Sequence, residues 1–327
     1  MIPLSVLDLA PVPEGLDVGD ALRASLSLAR HVEGLGFNRF WMAEHHSMPG
    51  IASAATAVAL AHVAAGTSTI RIGAGGIMLP NHSPLQVAEQ FGTLAALHPG
   101  RVDLGLGRAP GTDQAAARAM RRTLDSDPNS FPRDVMDLQA YFAPHDPAAR
   151  VRAIPGEGLE VPLWILGSSL FGAELAALLG LPFAFASHFA PQMMEQAVAL
   201  YRSRFKPSAQ LAAPYVMLGF NVFAADSDEE AELLATSLYQ AFVNLRTGRP
   251  GKLPRPQAGY RESLPLEGRL MLDAVLSSAA IGSAATVRAK LAAFIDRTGA
   301  DELMITSQIH NHEARLKSYS LLAGATD

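Results

Sequence analysis

The chain contains no cysteine, which excludes disulfides, thiolate metal sites and a cysteine nucleophile together. The same absence fits a reducing compartment. Charge is sparse: 17% of the 327 residues are charged against 49% apolar, a balance that belongs to packed enzymes and not to disordered chains. Basic residues gather nowhere beyond Arg118, Arg121 and Arg122, and the net charge is −5. That small group reads as a solvated helix face and leaves no footprint for nucleic acid. No apolar run approaches the ~20 residues needed to cross a bilayer. Met1, Ile2, Pro3 and Leu4 lack the basic flank and long apolar stretch of a signal peptide. The expectation is a soluble cytoplasmic protein with no membrane or nucleic-acid partner.

What is present is an alternation of short apolar runs and longer helical patterns. Strands are predicted at residues 2–8, 37–43, 69–73, 101–105, 163–166, 183–186, 215–224 and 302–306, with amphipathic or buried helices between most of them. Ser83, Pro84 and Gln86 resemble a capping box with proline in the first helical position. Two irregular stretches interrupt the pattern. Residues 109–160 read as a long excursion after strand four containing one or two helices, and 248–265 as a mobile loop after the helix of strand seven. Because the alternation resumes after each, the chain is read as one unit spanning 1–327. Eight strands alternating with helices imply α/β architecture, a (β/α)8 TIM-like barrel with those two insertions. A doubly wound open sheet is the alternative. In a barrel, chemistry sits at the C-terminal ends of the strands, so those positions hold the candidate residues.

After strand two stand Glu44, His45 and His46. They are either packed loop residues, or one imidazole is aimed into the barrel mouth as an acid/base with Glu44 as its polar partner. After strand three, Gly73, Ala74, Gly75 and Gly76 form either a tight turn or a place where backbone approaches a flat ligand. The glycines from Gly105 to Gly111 imitate a dinucleotide fingerprint, but the spacing is wrong and Pro110 interrupts it. Arg108 there is instead suited to grip a phosphate. Gly167, Ser168 and Ser169 lead into a helix containing Gly172; they are a plain N-cap or an anion site. With Arg108 from another strand end, phosphate binding is the better reading. His188 after strand six is a candidate to face substrate. Asn81, His82, His310, Asn311 and His312 read as capping or surface residues. No histidine pairs with carboxylates at a usable metal spacing, so no metal is expected.

These residues carry a family resemblance. The succession FNRFWMAEHH, IRIGAGGIMLPNHSP, HPGRVDLGLGRAPG, LWILGSS and GLPFAFASHF resembles the bacterial-luciferase-like flavin monooxygenases, closest to the alkanal-monooxygenase-like branch. The segment IGSAATVRAKLAAFIDRTGADELMIT is similar to the family's C-terminal portion. The resemblance implies FMN in the barrel mouth, His45 as the catalytic histidine, and a cis peptide at Gly75–Gly76 against the isoalloxazine. It further implies Arg108, Ser168, Ser169 and the backbone around Gly172 as the phosphate site, although a hydroxyl residue common at the position of Gly172 is missing here. Residues 252–269 lie where the family has a mobile lid, and members often form homodimers. The activity implied is oxygenation of a small, aldehyde-like organic substrate. Reduced FMN from a separate flavin reductase would react with O2 through a C4a-hydroperoxyflavin. Hydride transfer with the deazaflavin F420, or flavin binding without turnover, are the alternatives on the same fold.

Overall fold

The computed structural model describes residues 2–109, 116, 119, 120 and 130–326. Its strands form where apolar runs are bounded by glycine, proline or polar residues: β1 (Leu4–Asp8), β2 (Arg39–Met42), β3 (Arg71–Met78), β4 (Val102–Gly107), β5 (Leu163–Gly167), β6 (Phe183–Phe185), β7 (Val216–Ala224), β8 (Ala279–Gly282) and β9 (Glu302–Thr306). Eight of them close a parallel barrel. The ladder runs from β1 through β2, β3, β4, β5 and β6 to β7, and β9 returns between β7 and β1. Closure leaves those strands no free edge. These are the eight strands expected from the sequence. β8 is additional: it pairs only with the last four residues of β7, Asn221 to Ala224. The sequence reading does not foresee β8, because two alanines and a glycine in four residues carry little strand preference.

The helices are α1 (Val18–Gly34), α2 (Thr56–Ala65), α3 (Pro84–Leu97), α4 (Phe131–Phe142), α5 (Leu170–Leu179), α6 (Met194–Arg204), α7 (Asp228–Arg246), α8 (Tyr260–Ser263), α9 (Leu266–Leu276), α10 (Ala284–Thr298) and α11 (His312–Thr326). A reciprocal capping box starts α1, where Asp17 accepts from the Asp20 amide and Asp20 from the Asp17 amide. The box expected at Ser83 does not form; its hydroxyl makes no cap bond. Pro84 already removes one of the amides that need a partner there. Residues Arg118, Arg121 and Arg122 lie outside the described residues, as does much of the excursion after β4. The second irregular stretch differs from expectation. It contains α8, is followed by α9, and is pinned at its start: the Leu253 amide donates to Val12 and the Leu253 carbonyl accepts from Glu14, each at 2.9 Å.

Inside the barrel, alternate strand residues meet. Leu7, Trp41, Trp164, Met217 and Met304 form one cluster, with Trp41 and Trp164 packed edge to face at 5.2 Å. Beneath them, at the strand starts, lies a charged layer. Arg39 bridges Asp103 at 2.7 Å and Glu302 at 3.0 Å, Arg71 also pairs with Asp103, and Tyr215 donates to Glu302 at 2.9 Å. Both carboxylates are fully buried. Burial works against the Arg39 charge, and the two carboxylates more than offset it, so its pKa is raised. A larger apolar core fills the space between strands and helices. A separate cluster sets Phe223 of β7 and Ile309, just past β9, against Leu238, Tyr239 and Phe242 of α7 and Leu272 and Val275 of α9.

Candidate active site

Glu44 lies two residues past β2 and is buried at 1% exposure. Four donors converge on its carboxylate: His46 Nε2 at 2.7 Å, His82 Nε2 at 2.8 Å, Asn81 Nδ2 at 3.3 Å and the Met78 amide at 3.0 Å. Burial alone would raise the pKa of Glu44. The bonds from His82, His46 and Met78 outweigh it and hold the carboxyl below its ordinary value of 4.5. Asn81 and His82 are therefore not the capping or surface residues that the sequence suggested. They tie the end of β3 to the end of β2. Glu44, His46 and His82 also form a group whose ligand atoms lie within 4.8 Å of one another, which corrects the view that no histidine here has a carboxylate partner. Both Nε2 atoms contact the same carboxylate oxygen, so the cluster holds together as a hydrogen-bonded network without a cation.

The glycine run turns out not to be a turn. Gly73, Gly75 and Gly76 lie inside β3, whose pairing with β4 slips between Ala74 and Ile77. The Gly75–Gly76 peptide is cis. A Cβ on Gly73 would stand 2.6 Å from Trp41 Nε1, and one on Gly75 would stand 2.7 Å from Leu7 Cδ1. On Gly76 it would meet the Gly105 carbonyl at 2.7 Å, and on Gly105 the Ala74 carbonyl at 2.3 Å. Two adjacent strands are stripped to main chain here because the barrel interior and the neighbouring backbone leave no room for anything larger.

Arg108 stands just past β4 and is exposed. Its guanidinium lies 4.1 Å from the ring centroid of Phe171, in the first turn of α5, and it has no ion pair among the described residues. Ser169 occupies the N-cap position of α5 yet makes no side-chain cap bond. Neither its hydroxyl nor that of Ser168 has a partner among the described residues. The plain N-cap reading is thus corrected. An arginine, two uncommitted hydroxyls and the free amides of a ten-residue helix converge, a set of donors suited to a phosphate. Gly172 is buried one turn in, beside Gly167, where an added Cβ would make only ordinary contacts at 3.5 Å and beyond.

His188 comes from the segment after β6. Its carbonyl accepts from Asn221 Nδ2 at 2.7 Å, and neighbouring Ser187 donates to the Gly219 carbonyl at 2.7 Å. The ring lies directly on Gly219 of β7, where a Cβ would be 2.0 Å from Nδ1. Nδ1 is sealed from solvent and has no hydrogen-bond partner. Burial, with a smaller push from the nearby His45, lowers the imidazole to about 4. That coupling brings His45 and His188, from β2 and β6 ends, into one neighbourhood. Of the remaining histidines, His310 and His312 point to Glu14 and Ser27, and Asn311 caps α11 by accepting from Ala314.

Sequence reasoning singled out Glu44, His45 and His188 but missed Gly219 and Asn221. An isolated glycine within a strand is a known sign of close approach, and Gly219 carries that sign.

The sequence model of one family, described as luciferase-like monooxygenase, matches residues 2–302. The chain belongs to that family. A luciferase-like monooxygenase of Escherichia coli (strain K12) is 53% identical over 320 residues, covering 98% of this chain and 96% of its own. The N-acetyl-S-alkylcysteine monooxygenase of Bacillus subtilis (strain 168) is 32% identical over 335 residues, covering 99% of this chain and 98% of that one. Among solved structures, apo-MsnO8 is 36% identical with a TM-score of 0.89, covering 100% of this chain and 98% of its own. Two others are similar in fold alone. One is the oxygenating constituent of 3,6-diketocamphane monooxygenase in complex with FMN, at 16% identity and TM-score 0.72, covering 98% of this chain and 96% of its own. The other is an F420-dependent secondary alcohol dehydrogenase at 15% and 0.68, covering 100% and 99%. The luciferase-like enzyme is an oxidoreductase, and among the described residues no helix is long and apolar enough to cross a membrane.

Proposed function

We propose that this enzyme is an FMN-dependent monooxygenase that uses reduced FMN and O2 to oxygenate a small, aldehyde-like organic molecule. The observation that carries the reading is the pairing of a phosphate-sized donor set with a wall of bare backbone. Arg108, Ser168, Ser169 and the α5 amides suit the flavin phosphate. Gly75, Gly76 and Gly105 are where a planar ring system could lie against main chain. When bound in reduced form, the flavin supplies the electrons that oxygen activation requires.

The chain's own part is position, dryness and proton handling. Glu44 fixes the strand ends on either side of His45. Trp41 and Leu7 fill the barrel below and keep water out from that side. The His45 imidazole, half-buried beside neutral His188, is placed to move a proton to or from the reacting oxygen.

Arg108→Ala is expected to weaken FMN binding by about 10- to 100-fold, the loss of one or two charge-assisted hydrogen bonds. Flavin fluorescence quenching would measure it, and an unchanged affinity would remove Arg108 from the phosphate site. His45→Ala is expected to bind FMN normally and to lose oxygenation by at least about 100-fold. Oxygen consumption would continue as hydrogen peroxide release, so the product-to-peroxide ratio is the deciding measurement. Tight binding of F420 with no affinity for FMN would replace this reading by hydride transfer.

A further inference from the structure

We infer that His188 is the substrate-recognition donor of this site, an imidazole whose Nε2–H gives one hydrogen bond to a carbonyl oxygen of the substrate. The inference rests on the proposed monooxygenase reading and names the group by which its substrate is held.

The seat of the ring is specific. It lies against Gly219 so closely that no residue with a Cβ could occupy that position of β7 without moving it. Two further bonds fix the segment that carries it: Asn221 holds the His188 carbonyl, and Ser187 holds the Gly219 carbonyl. Strand β7 thus contributes a space and two anchors to one imidazole within three residues. Such preorganisation suits a group that must meet a ligand in one orientation.

The tautomer follows from the same seat. Nδ1 is sealed with no acceptor to receive a proton, and a buried N–H without a partner is rarer in folded proteins than an under-satisfied acceptor. The single proton of the neutral ring therefore belongs on Nε2, the nitrogen that is not sealed. Among the described residues the titratable group acting on the ring is His45. A charge on His45 makes a second charge on His188 less favourable, which keeps the two imidazoles in different roles. One is able to take a proton. The other is held as a donor that never becomes a cation at neutral pH.

A carbonyl oxygen is the acceptor this geometry suits. An uncharged donor discriminates against nothing by charge and adds little for an apolar ligand, but leaves an unmet N–H when a substrate lacks an acceptor there. Discrimination of that kind, through an unmet polar group, is stronger than discrimination by shape alone.

The test is nitrogen NMR of the histidine rings in the full-length protein, with His188 assigned by loss of its signals in His188→Leu. The expected result is a neutral ring with the proton on Nε2 from pH 5.5 to 8. Saturating 2-undecanone, an unreactive carbonyl probe, should shift the Nε2 signal. In Gly219→Ala the imidazole is retained but displaced, and the ketone response should fall at least fivefold. In His188→Gln, which restores a neutral N–H, ketone affinity should recover relative to His188→Leu. A ring that protonates near pH 6.5, a proton on Nδ1, or an Nε2 signal indifferent to the ketone would each overturn the inference. FMN affinity measured on the same samples separates the two readings. Ketone response without FMN binding removes the proposed function alone; FMN binding without ketone response removes this inference alone.

Discussion

Glu44→Ala is expected to destabilise the enzyme by about 3–5 kcal/mol, since each buried donor left without its acceptor costs ~1–3 kcal/mol. Four donors would lose their acceptor at once: two histidines, the Asn81 amide and the Met78 main chain. The same substitution should lower turnover by more than about 100-fold even where the protein is folded, because it releases the strand ends that flank His45. Urea unfolding and single-turnover oxygenation at low temperature would separate the two effects. Glu44→Gln should lie between, since it keeps one oxygen but turns the other acceptor into a donor. A variant with wild-type stability would show that the network is not what holds these ends.

The pH dependence of stability carries the signature of the same groups. Glu44 titrates below its ordinary 4.5 in the folded state. Its contribution is present above pH 4.5 and is lost as the pH falls through the lower folded value. His188 acts at higher pH. Its folded value of about 4 lies beneath the ordinary 6.5, so between pH 6.5 and 4 the unfolded chain binds the extra proton and stability falls on acidification. Chemical unfolding from pH 8 downward should show the decline begin near 6.5 in the wild type. In His188→Leu the decline below 6.5 should be shallower but still present, because His98 and His312 are also held below 6.5, and in Glu44→Ala the portion below 4.5 should be shallower.

Arg39→Ala is the second large effect, and its character is opposite. The guanidinium lies between Asp103 and Glu302, both without solvent contact, so its removal leaves Glu302 with no cation at ion-pair distance among the described residues. A loss of about 3–5 kcal/mol is expected. Activity per folded molecule should be unchanged within about twofold, because this layer lies at the strand starts and the chemistry at the strand ends. Urea midpoints and kcat at 20 °C would check it. An altered kcat with unaltered stability would place the charged layer in the catalytic machinery.

Much of the barrel was legible because its information is local. Each of the eight strands is a short apolar run closed by a glycine, a proline, a polar residue or a helix start, and each can be found without knowing its neighbours. The segments that escaped, β8 and α9, owe their conformation to distant packing. Ala279–Gly282 becomes a strand by pairing with the end of β7, and α9 folds onto Phe242 and Ile309. The site divides in the same way. Glu44 and His46 lie two residues apart just past β2, so their contact is local in sequence and needs no alignment of distant strands. His82 was not readable, since its approach to Glu44 depends on how β2 and β3 align. The partnership of Arg108 with Phe171 likewise depends on β4 and β5 lying side by side.

The bare backbone of β3 and β4 has a consequence for altering what this enzyme accepts. At Gly73, Gly75, Gly76 and Gly105 any side chain would collide with Trp41, Leu7 or the facing carbonyls, so the floor of the barrel is closed to redesign. Among the described residues, selectivity is better rewritten around the rim, in the segment bearing His188 and Phe189 and in the insertion between α7 and α9. A library confined to those two stretches would explore new substrates while leaving the floor beneath them as it is.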